Sequence, residues 1–140
     1  MAHASSATID DVLAIATRPI VASHTGLRAV ADNPRNLSDE QLRGIAATGG
    51  MVGIGFWPTA SGGDDAASIA RSIAHAVSVV GAAHVGLGSD FDGAVPTPFD
   101  VSGLGLLTAA LLDAGLDEPT IAAVMGGTAI QLLEVALPPV

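Results

Sequence analysis

The chain contains no cysteine, no lysine and no tyrosine, and only 3% of its 140 residues are aromatic. The absence of cysteine excludes disulfides, thiolate zinc sites and a cysteine nucleophile. The shortage of aromatic residues predicts a core built from Ala, Val, Ile and Leu. Hydrophobic residues still make up 49% of the chain, which is enough for a sizeable core in one domain.

Positive charge is also scarce, because the chain has five arginines and fourteen acidic residues, which gives a net charge of −9. Such a chain is repelled by nucleic acid and by anionic membrane surfaces. No apolar run approaches the ~20 residues of a membrane span, and the first residues do not form a secretion signal. We therefore expect a cytoplasmic protein with no nucleic-acid partner and no membrane span.

Several catalytic motifs are missing as well. The sequence has no HExxH zincin motif, no GxSxG nucleophile elbow, no Walker loop and no GxGxxG fingerprint. These absences disfavour a barrel fragment that binds phosphorylated metabolites. Gly126-Gly127-Thr128 follows a predicted helix instead of a strand, so it is interpreted as a turn and cap.

Apolar patterning and capping residues predict alternating helices and strands. Thr8 is the expected N-cap of the first helix, and Ser38 to Gln41 form a capping box that opens the second. The third helix begins at Asp64-Asp65 and ends at Gly81. The other predicted helices cover 8–17, 38–48, 102–114, 118–125 and 128–137, and the predicted strands cover 19–23, 51–57 and 85–89.

This alternation predicts an α/β fold with parallel strands joined by right-handed crossover helices. The strands are nearly continuous apolar runs that end on polar side chains, as at the catalytic end of a (β/α)8 TIM-type barrel. A whole barrel takes ~250 residues. We therefore expect a partial barrel of about three parallel strands with a helical C-terminus, whose two outer strands are open edges.

Two histidines are candidate metal ligands. His24 follows the first predicted strand, and His3 precedes it by 21 residues, the length of one α/β repeat, which would place both at neighbouring strand ends. Each also has a simpler interpretation: His24 as a structural histidine, and His3 as part of a frayed terminus. His75 and His84 are interpreted as structural.

Polar residues follow the strands elsewhere too. Asp90 and Asp92 come directly after the third strand, and in an extended chain both carboxylates would lie on one side. Asp90 is a candidate acid, base or metal-bound carboxylate, or else a loop carboxylate or helix cap. Arg35, in a loop after the first strand, could hold a substrate carboxylate through two hydrogen bonds or simply face solvent.

These motifs together resemble the membrane dipeptidase (renal dipeptidase) family of zinc peptidases. The resemblance is carried by Ser23-His24, the loop that begins Pro34-Arg35-Asn36, Gly50-Met51-Val52-Gly53, and the run Gly86-Leu87-Gly88-Ser89-Asp90-Phe91-Asp92-Gly93. It covers essentially all of residues 1–140 and matches the C-terminal portion of the family's metal-dependent (β/α) barrel hydrolase domain.

The resemblance implies a binuclear zinc enzyme that hydrolyses dipeptides. His3 and His24 would be zinc ligands, Arg35 would hold the carboxylate of the dipeptide substrate, and Asp90 would handle its amino end and proton transfer. The family's His-x-Asp pair and bridging glutamate have no counterpart in this sequence. The resemblance thus predicts an incomplete zinc ligand set and a truncated dipeptidase that is inactive alone.

Two kinds of partner follow from this interpretation. One is a complementing N-terminal half that would restore the dipeptidase. The alternative is a non-catalytic barrel remnant that forms a homo-oligomer, or binds another partner, through its open strand edges.

Overall fold

The computed structural model describes residues 1–137. Three short strands alternate with helices, and the last third of the chain is helical. The strands are β1 (Val21–Thr25), β2 (Met51–Ile54) and β3 (Val85–Leu87), and the helices are α1 (Ser6–Ile15), α2 (Asp39–Ala47), α3 (Pro58–Ser61), α4 (Ala66–Val80), α5 (Leu104–Asp113), α6 (Glu118–Ala122) and α7 (Thr128–Ala136).

The strands form one parallel sheet in the order β1-β2-β3. Ala22 pairs with Val52, but Thr25 pairs with Ile54, so β1 contains one more residue than β2 between these pairs. This extra residue is a bulge, and His24 lies within it. The sheet has the predicted number and direction of strands.

The strand ends differ from those predicted. β1 continues to Thr25, so His24 lies inside the strand and not after it. Backbone pairing with β2 produces this extension, because the Gly55 N–H donates to the Thr25 carbonyl at 2.8 Å. β2 ends at Ile54 and β3 at Leu87, each earlier than the apolar run in the sequence.

Local capping sets most helix starts. Ser38 and Gln41 form the predicted capping box, with each side chain accepting a hydrogen bond from the other residue's backbone N–H at 3.2 Å. Asp65 caps α4. The predicted cap at Thr8 is wrong, because the Ser5 hydroxyl accepts from the Thr8 N–H and α1 begins at Ser6. A serine one turn earlier provides the same cap.

The core lies between the sheet and the helices that pack on it. It is largely aliphatic, as predicted, and its fully buried side chains include Leu42, Ile45, Val52, Ile54, Ile69, Ile73, Val85, Leu107 and Leu111. Phe56 is the exception: it is fully buried, and its ring centroid lies 5.6 Å from those of both Phe91 and Phe99. The few aromatic residues therefore collect just beyond β2 and β3.

Helix α7 lies across the amino ends of the strands. At its start, the Thr128 hydroxyl donates to the Ala82 carbonyl at 2.8 Å, just before β3. At its end, Arg18, which precedes β1, donates to the Ala136 carbonyl at 3.5 Å. The helix thus closes the end of the sheet opposite His24.

One helical run, Glu118–Ala136, is long and apolar enough to cross a membrane by length and composition alone. It is not one straight helix, since Gly126 has a φ of 159° and separates α6 from α7. The Gly126-Gly127 turn predicted from the sequence is therefore a kink within this run.

Candidate functional site

The carboxyl ends of parallel strands lie at the same edge of the sheet, and the polar residues singled out above follow or end these strands. His3 and His24 meet there, with their Nε2 atoms 3.1 Å apart and their rings edge to face. The first residues lie along β1: the Met1 amino group donates to the Val21 carbonyl, and the Met1 carbonyl accepts from the Ser23 N–H. This pairing brings the two imidazoles together.

Arg35 completes a hydrogen-bonded cluster with the histidines. Its guanidinium nitrogen lies 3.1 Å from Nδ1 of His3, and the Ser23 hydroxyl lies 3.0 Å from Nδ1 of His24. The Arg35 backbone is fixed as well, because its N–H donates to the Asn33 side chain at 3.0 Å. A cavity of about 20 Å³, enough for one water, lies between these side chains and the first residues of the chain.

Asp90 lies at the same end of the sheet but beyond the third strand. Within residues 1–137, no hydrogen bond joins its carboxylate to His3, His24 or Arg35. The Asp90 backbone has a φ of 61°, so the chain turns there instead of continuing extended. The expectation that Asp90 and Asp92 share one side of an extended segment is therefore wrong: Asp90 is half-buried and Asp92 is exposed.

Glycines let the strand ends approach each other closely. A Cβ on Gly88 would lie 2.5 Å from the Ser23 carbonyl oxygen, and a Cβ on Gly53 would overlap the same oxygen. Because Gly88 precedes Asp90 by two residues and Ser23 precedes His24 by one, this approach draws the two segments toward each other. The sequence shows these glycines but does not reveal what they accommodate.

Trp57 is a site residue that the sequence interpretation missed. Its ring centroid lies 5.2 Å from Cζ of Arg35 and 5.9 Å from the ring centroid of His24. The indole is buried, with 6% of the residue exposed. A signal was available: Trp57 is the only tryptophan in the chain, and it follows β2, between the strands that carry His24 and precede Asp90.

The other two histidines have partners that account for them structurally. Nε2 of His75 lies 2.9 Å from the Asp39 carboxylate, which joins α4 to α2. Nδ1 of His84 lies 2.8 Å from the Gly50 carbonyl at the amino end of the sheet. Both contacts link secondary-structure elements away from the His3 and His24 cluster.

The donor types at the cluster suit a metal, but their number does not. Imidazole nitrogens are ordinary zinc ligands, and a zinc site needs three or four protein ligands. Within the part of the chain that the structure describes, no group of three His, Cys, Asp or Glu side chains could hold a metal ion. His3 and His24 therefore form part of a possible metal site and do not complete one.

Comparison with known proteins identifies a family that the chain matches over most of its length. Residues 1–136 match the family model described as membrane dipeptidase, peptidase family M19. Dipeptidase verJ of Clonostachys rogersoniana is 34% identical over 139 residues, which cover 96% of this chain and 36% of that protein. An uncharacterised protein of Klebsiella pneumoniae is 38% identical over 127 residues, covering 84% of this chain and 47% of the relative.

Solved structures give the same result. A metallo peptidase from Rhodobacter sphaeroides, liganded with a phosphinate mimic of the dipeptide L-Ala-D-Ala, superposes with a TM-score of 0.85 at 35% identity, over 95% of this chain and 40% of its own. Dipeptidase AC, a metallo peptidase of family M19, superposes with a TM-score of 0.86 at 36% identity, over 95% of this chain and 42% of its own. The predicted partial-barrel fold class is confirmed, and the chain spans less than half the length of these relatives.

Proposed function

Because this chain belongs to the membrane dipeptidase family, peptidase family M19, we propose that it supplies the C-terminal part of the active site of a zinc-dependent dipeptidase. One observation carries the proposal. The Nε2 atoms of His3 and His24 converge to 3.1 Å at the carboxyl end of the sheet, with the Arg35 guanidinium beside them. Functional groups of (β/α) barrels are found at this end.

Each site residue has a role in this proposal. His3 and His24 are two of the ligands of a metal that would supply an activated water and polarise the peptide carbonyl. Arg35 binds the carboxylate of the dipeptide through its planar fork of N–H donors. Asp90 interacts with the free amino end and takes part in proton transfer. A site that binds both termini accepts only short substrates.

The chain by itself is proposed to be inactive or nearly so, since two histidines do not make a zinc site. The direct test is complementation: the chain is refolded with a fragment that carries the remaining N-terminal part of the Rhodobacter sphaeroides peptidase. We expect zinc retention and hydrolysis of L-Ala-D-Ala by the mixture, and neither by the separate parts. A stable complex that retains no zinc and cleaves no dipeptide would contradict the proposal.

Two variants separate the proposed roles in the complemented protein. His24→Gln is expected to lose bound zinc, measured by elemental analysis after dialysis, together with activity. Arg35→Lys is expected to keep zinc but to raise KM for the dipeptide, because an ammonium cannot form the paired hydrogen bonds of a guanidinium. If both variants lost zinc equally, Arg35 would have no separate role in binding substrate.

A second candidate function is a non-catalytic barrel remnant that acts through oligomerisation. Large apolar side chains are exposed on two helices, with Leu106 on α5 and Ile130, Leu133 and Val135 on α7. Exposed apolar residues of this kind mark interaction surfaces when they are contiguous. Size-exclusion chromatography with light scattering tests this function. A stable dimer whose mass and stability do not depend on zinc favours it, whereas a monomer argues against it.

A further inference from the structure

We propose that Trp57 is a positioning residue that fixes the Arg35 guanidinium and the His24 imidazole relative to each other. The role of Trp57 in positioning substrate rests on the proposed function, whereas its contacts with Arg35 and His24 do not depend on it. Cζ of Arg35 lies 5.2 Å from the ring centroid of Trp57, within the ~6 Å range of a cation–π contact. The His24 ring meets the same indole edge to face, at 5.9 Å and 69°.

The indole is held firmly enough to act as a platform. Trp57 directly precedes α3, and its carbonyl accepts hydrogen bonds from the Ala60 N–H at 2.9 Å and the Ser61 N–H at 3.1 Å. The Ser61 hydroxyl donates to the same carbonyl at 3.1 Å. A side chain at Gly55 would overlap the indole ring, so the glycine provides the space that the ring fills.

Both the backbone and the guanidinium of Arg35 are held in place. Its backbone N–H donates to the Asn33 side chain, and its carbonyl accepts from the buried Thr25 hydroxyl at 3.4 Å. The guanidinium would otherwise lie at the end of a long, flexible side chain. Packing on the indole restricts its rotamers and leaves the edge of the guanidinium, which lies 3.1 Å from Nδ1 of His3, pointing away from the ring face. A planar acceptor such as a carboxylate can bind at that edge in place of the His3 contact.

The same ring also restricts His24, which lies in the bulge of β1 and also contacts the Ser23 hydroxyl through Nδ1 and His3 through Nε2. A single indole therefore touches the proposed metal ligand and the proposed carboxylate-binding group. Loss of the ring is expected to loosen both groups together. If Trp57 only filled the core, any apolar side chain of adequate size would preserve Arg35.

The test measures Arg35 directly and needs neither metal nor substrate. The chain has five arginines, so a ¹⁵N-¹H spectrum gives up to five side-chain Nε–H signals, and Arg35→Lys identifies the signal of interest. Over an indole, this signal should be displaced by the ring current and should show restricted motion. We expect Trp57→Leu to move it to the position of a solvated arginine and to raise its mobility.

Trp57→Phe provides the second variant, and Phe56→Leu the matched control. The phenyl ring keeps a smaller π face, so an intermediate displacement is expected, even if Trp57→Leu fails to fold. Phe56 is buried next to Trp57 in the chain but packs on Phe91 and Phe99, so its replacement should leave the Arg35 signal in place. An Arg35 signal unchanged in Trp57→Phe, or moved equally by Phe56→Leu, overturns the proposal.

A second readout uses the complemented dipeptidase. Trp57→Leu should raise KM for L-Ala-D-Ala by about two- to fivefold with zinc retained, as expected for the loss of one cation–π contact made by a half-buried guanidinium. An unchanged KM in a variant with a mobile Arg35 overturns the role in substrate positioning. Failure of the proposed function appears differently, as the absence of zinc and hydrolysis in the unmutated complex, while the Arg35 spectrum stays informative.

Discussion

The two ends of the sheet use the same kind of residue in different ways. At the carboxyl end, the imidazole of His24 has another imidazole and an indole as neighbours, and the guanidinium of Arg35 lies within reach. At the amino end, the imidazole of His84 bonds a backbone carbonyl, that of Gly50. The groups around His24 can give up their contacts with each other to bind a ligand. His84 instead connects the start of β3 to the segment before β2.

The backbone conformation also differs between the two ends of the sheet. At the carboxyl end, His3 and Asp90 are non-glycine residues with positive φ, a conformation that costs energy and is often found at functional sites. At the amino end, the Thr48 hydroxyl accepts from the Ile20 N–H at 3.0 Å, and α7 covers the strand starts. The amino end therefore contributes mainly to stability, and the carboxyl end presents side chains.

The largest expected effect comes from removing the aromatic cluster that supports the carboxyl end. Phe56→Ala deletes a fully buried ring that contacts Phe91 and Phe99, so the free energy of unfolding should fall by about 3–5 kcal/mol. Urea denaturation followed by circular dichroism measures it. A loss below about 1 kcal/mol would mean that the loop containing Asp90 is not anchored through this cluster.

A smaller loss is expected when the close approach of the strand ends is blocked. Gly88→Ala places a Cβ 2.5 Å from the Ser23 carbonyl, and overpacking of this kind costs about 1–3 kcal/mol. Gly105→Ala is the control, because it lies in α5 with open space around it and should stabilise the helix by about 0.4–1 kcal/mol. Equal effects of the two substitutions on urea denaturation would contradict the packing at Gly88.

The two histidines can be compared directly. His84→Leu leaves the Gly50 carbonyl without its partner and should cost about 0.5–1.5 kcal/mol, with zinc retained by the complemented protein. His24→Leu should change the free energy of unfolding by at most about 0.5 kcal/mol, but zinc should be lost. The reverse pattern, with His24 the more stabilising residue and zinc unaffected, would invalidate the distinction between the two ends.

The smallest expected effect arises at helix starts, outside the sheet and its two ends. Hydrogen bonds from the Ser68 hydroxyl and from its backbone N–H hold the pKa of Asp65 below its ordinary value. A lowered folded-state pKa means that ionised Asp65 stabilises the fold above the unfolded-state pKa, and that this contribution is lost as the pH falls through the folded-state value.

Asp65→Asn keeps an N-capping side chain without the ionisable group. Thermal unfolding measured from pH 7 to pH 3 should therefore show a slightly weaker acid destabilisation in the variant than in the parent chain. The pKa values of Asp100 and Asp117 are lowered in the same way, by Ser102 and Thr120, so most of the acid sensitivity should remain. Identical pH profiles would show that the Asp65 cap does not contribute.

Several features could be read from the sequence because they depend on residues close together in the chain. The capping box at Ser38 and the cap at Asp65 form within four residues. The α1 start was misplaced for the same local reason, because Ser5 and Thr8 are both acceptable caps and only the folded helix selects one. Ile69 and Ile73 lie four residues apart in α4, on one face of the helix, and both are fully buried.

The candidate site was only partly accessible to the same reasoning. The 21-residue interval between His3 and His24 suggested neighbouring strand ends, and the structure brings their rings together. The contribution of Trp57 was missed, because a tryptophan after a strand is usually part of the core and its neighbours come from two other segments. The turn at Asp90 was also missed, since positive φ in a non-glycine residue leaves little trace in sequence patterns.

The sequence alone determined the order of the strands and of the longer helices, but not the short α3, together with the parallel direction of the strands and the polar residues that follow them. These properties arise from apolar periodicity and hydrogen bonds between near neighbours. Tertiary structure decided that His24 lies in a bulge, that Ser23 meets Gly53 and Gly88, and that one indole touches both Arg35 and His24. Those contacts join segments that are distant in the chain, and only the packing of the strands against one another and against the helices brings them together.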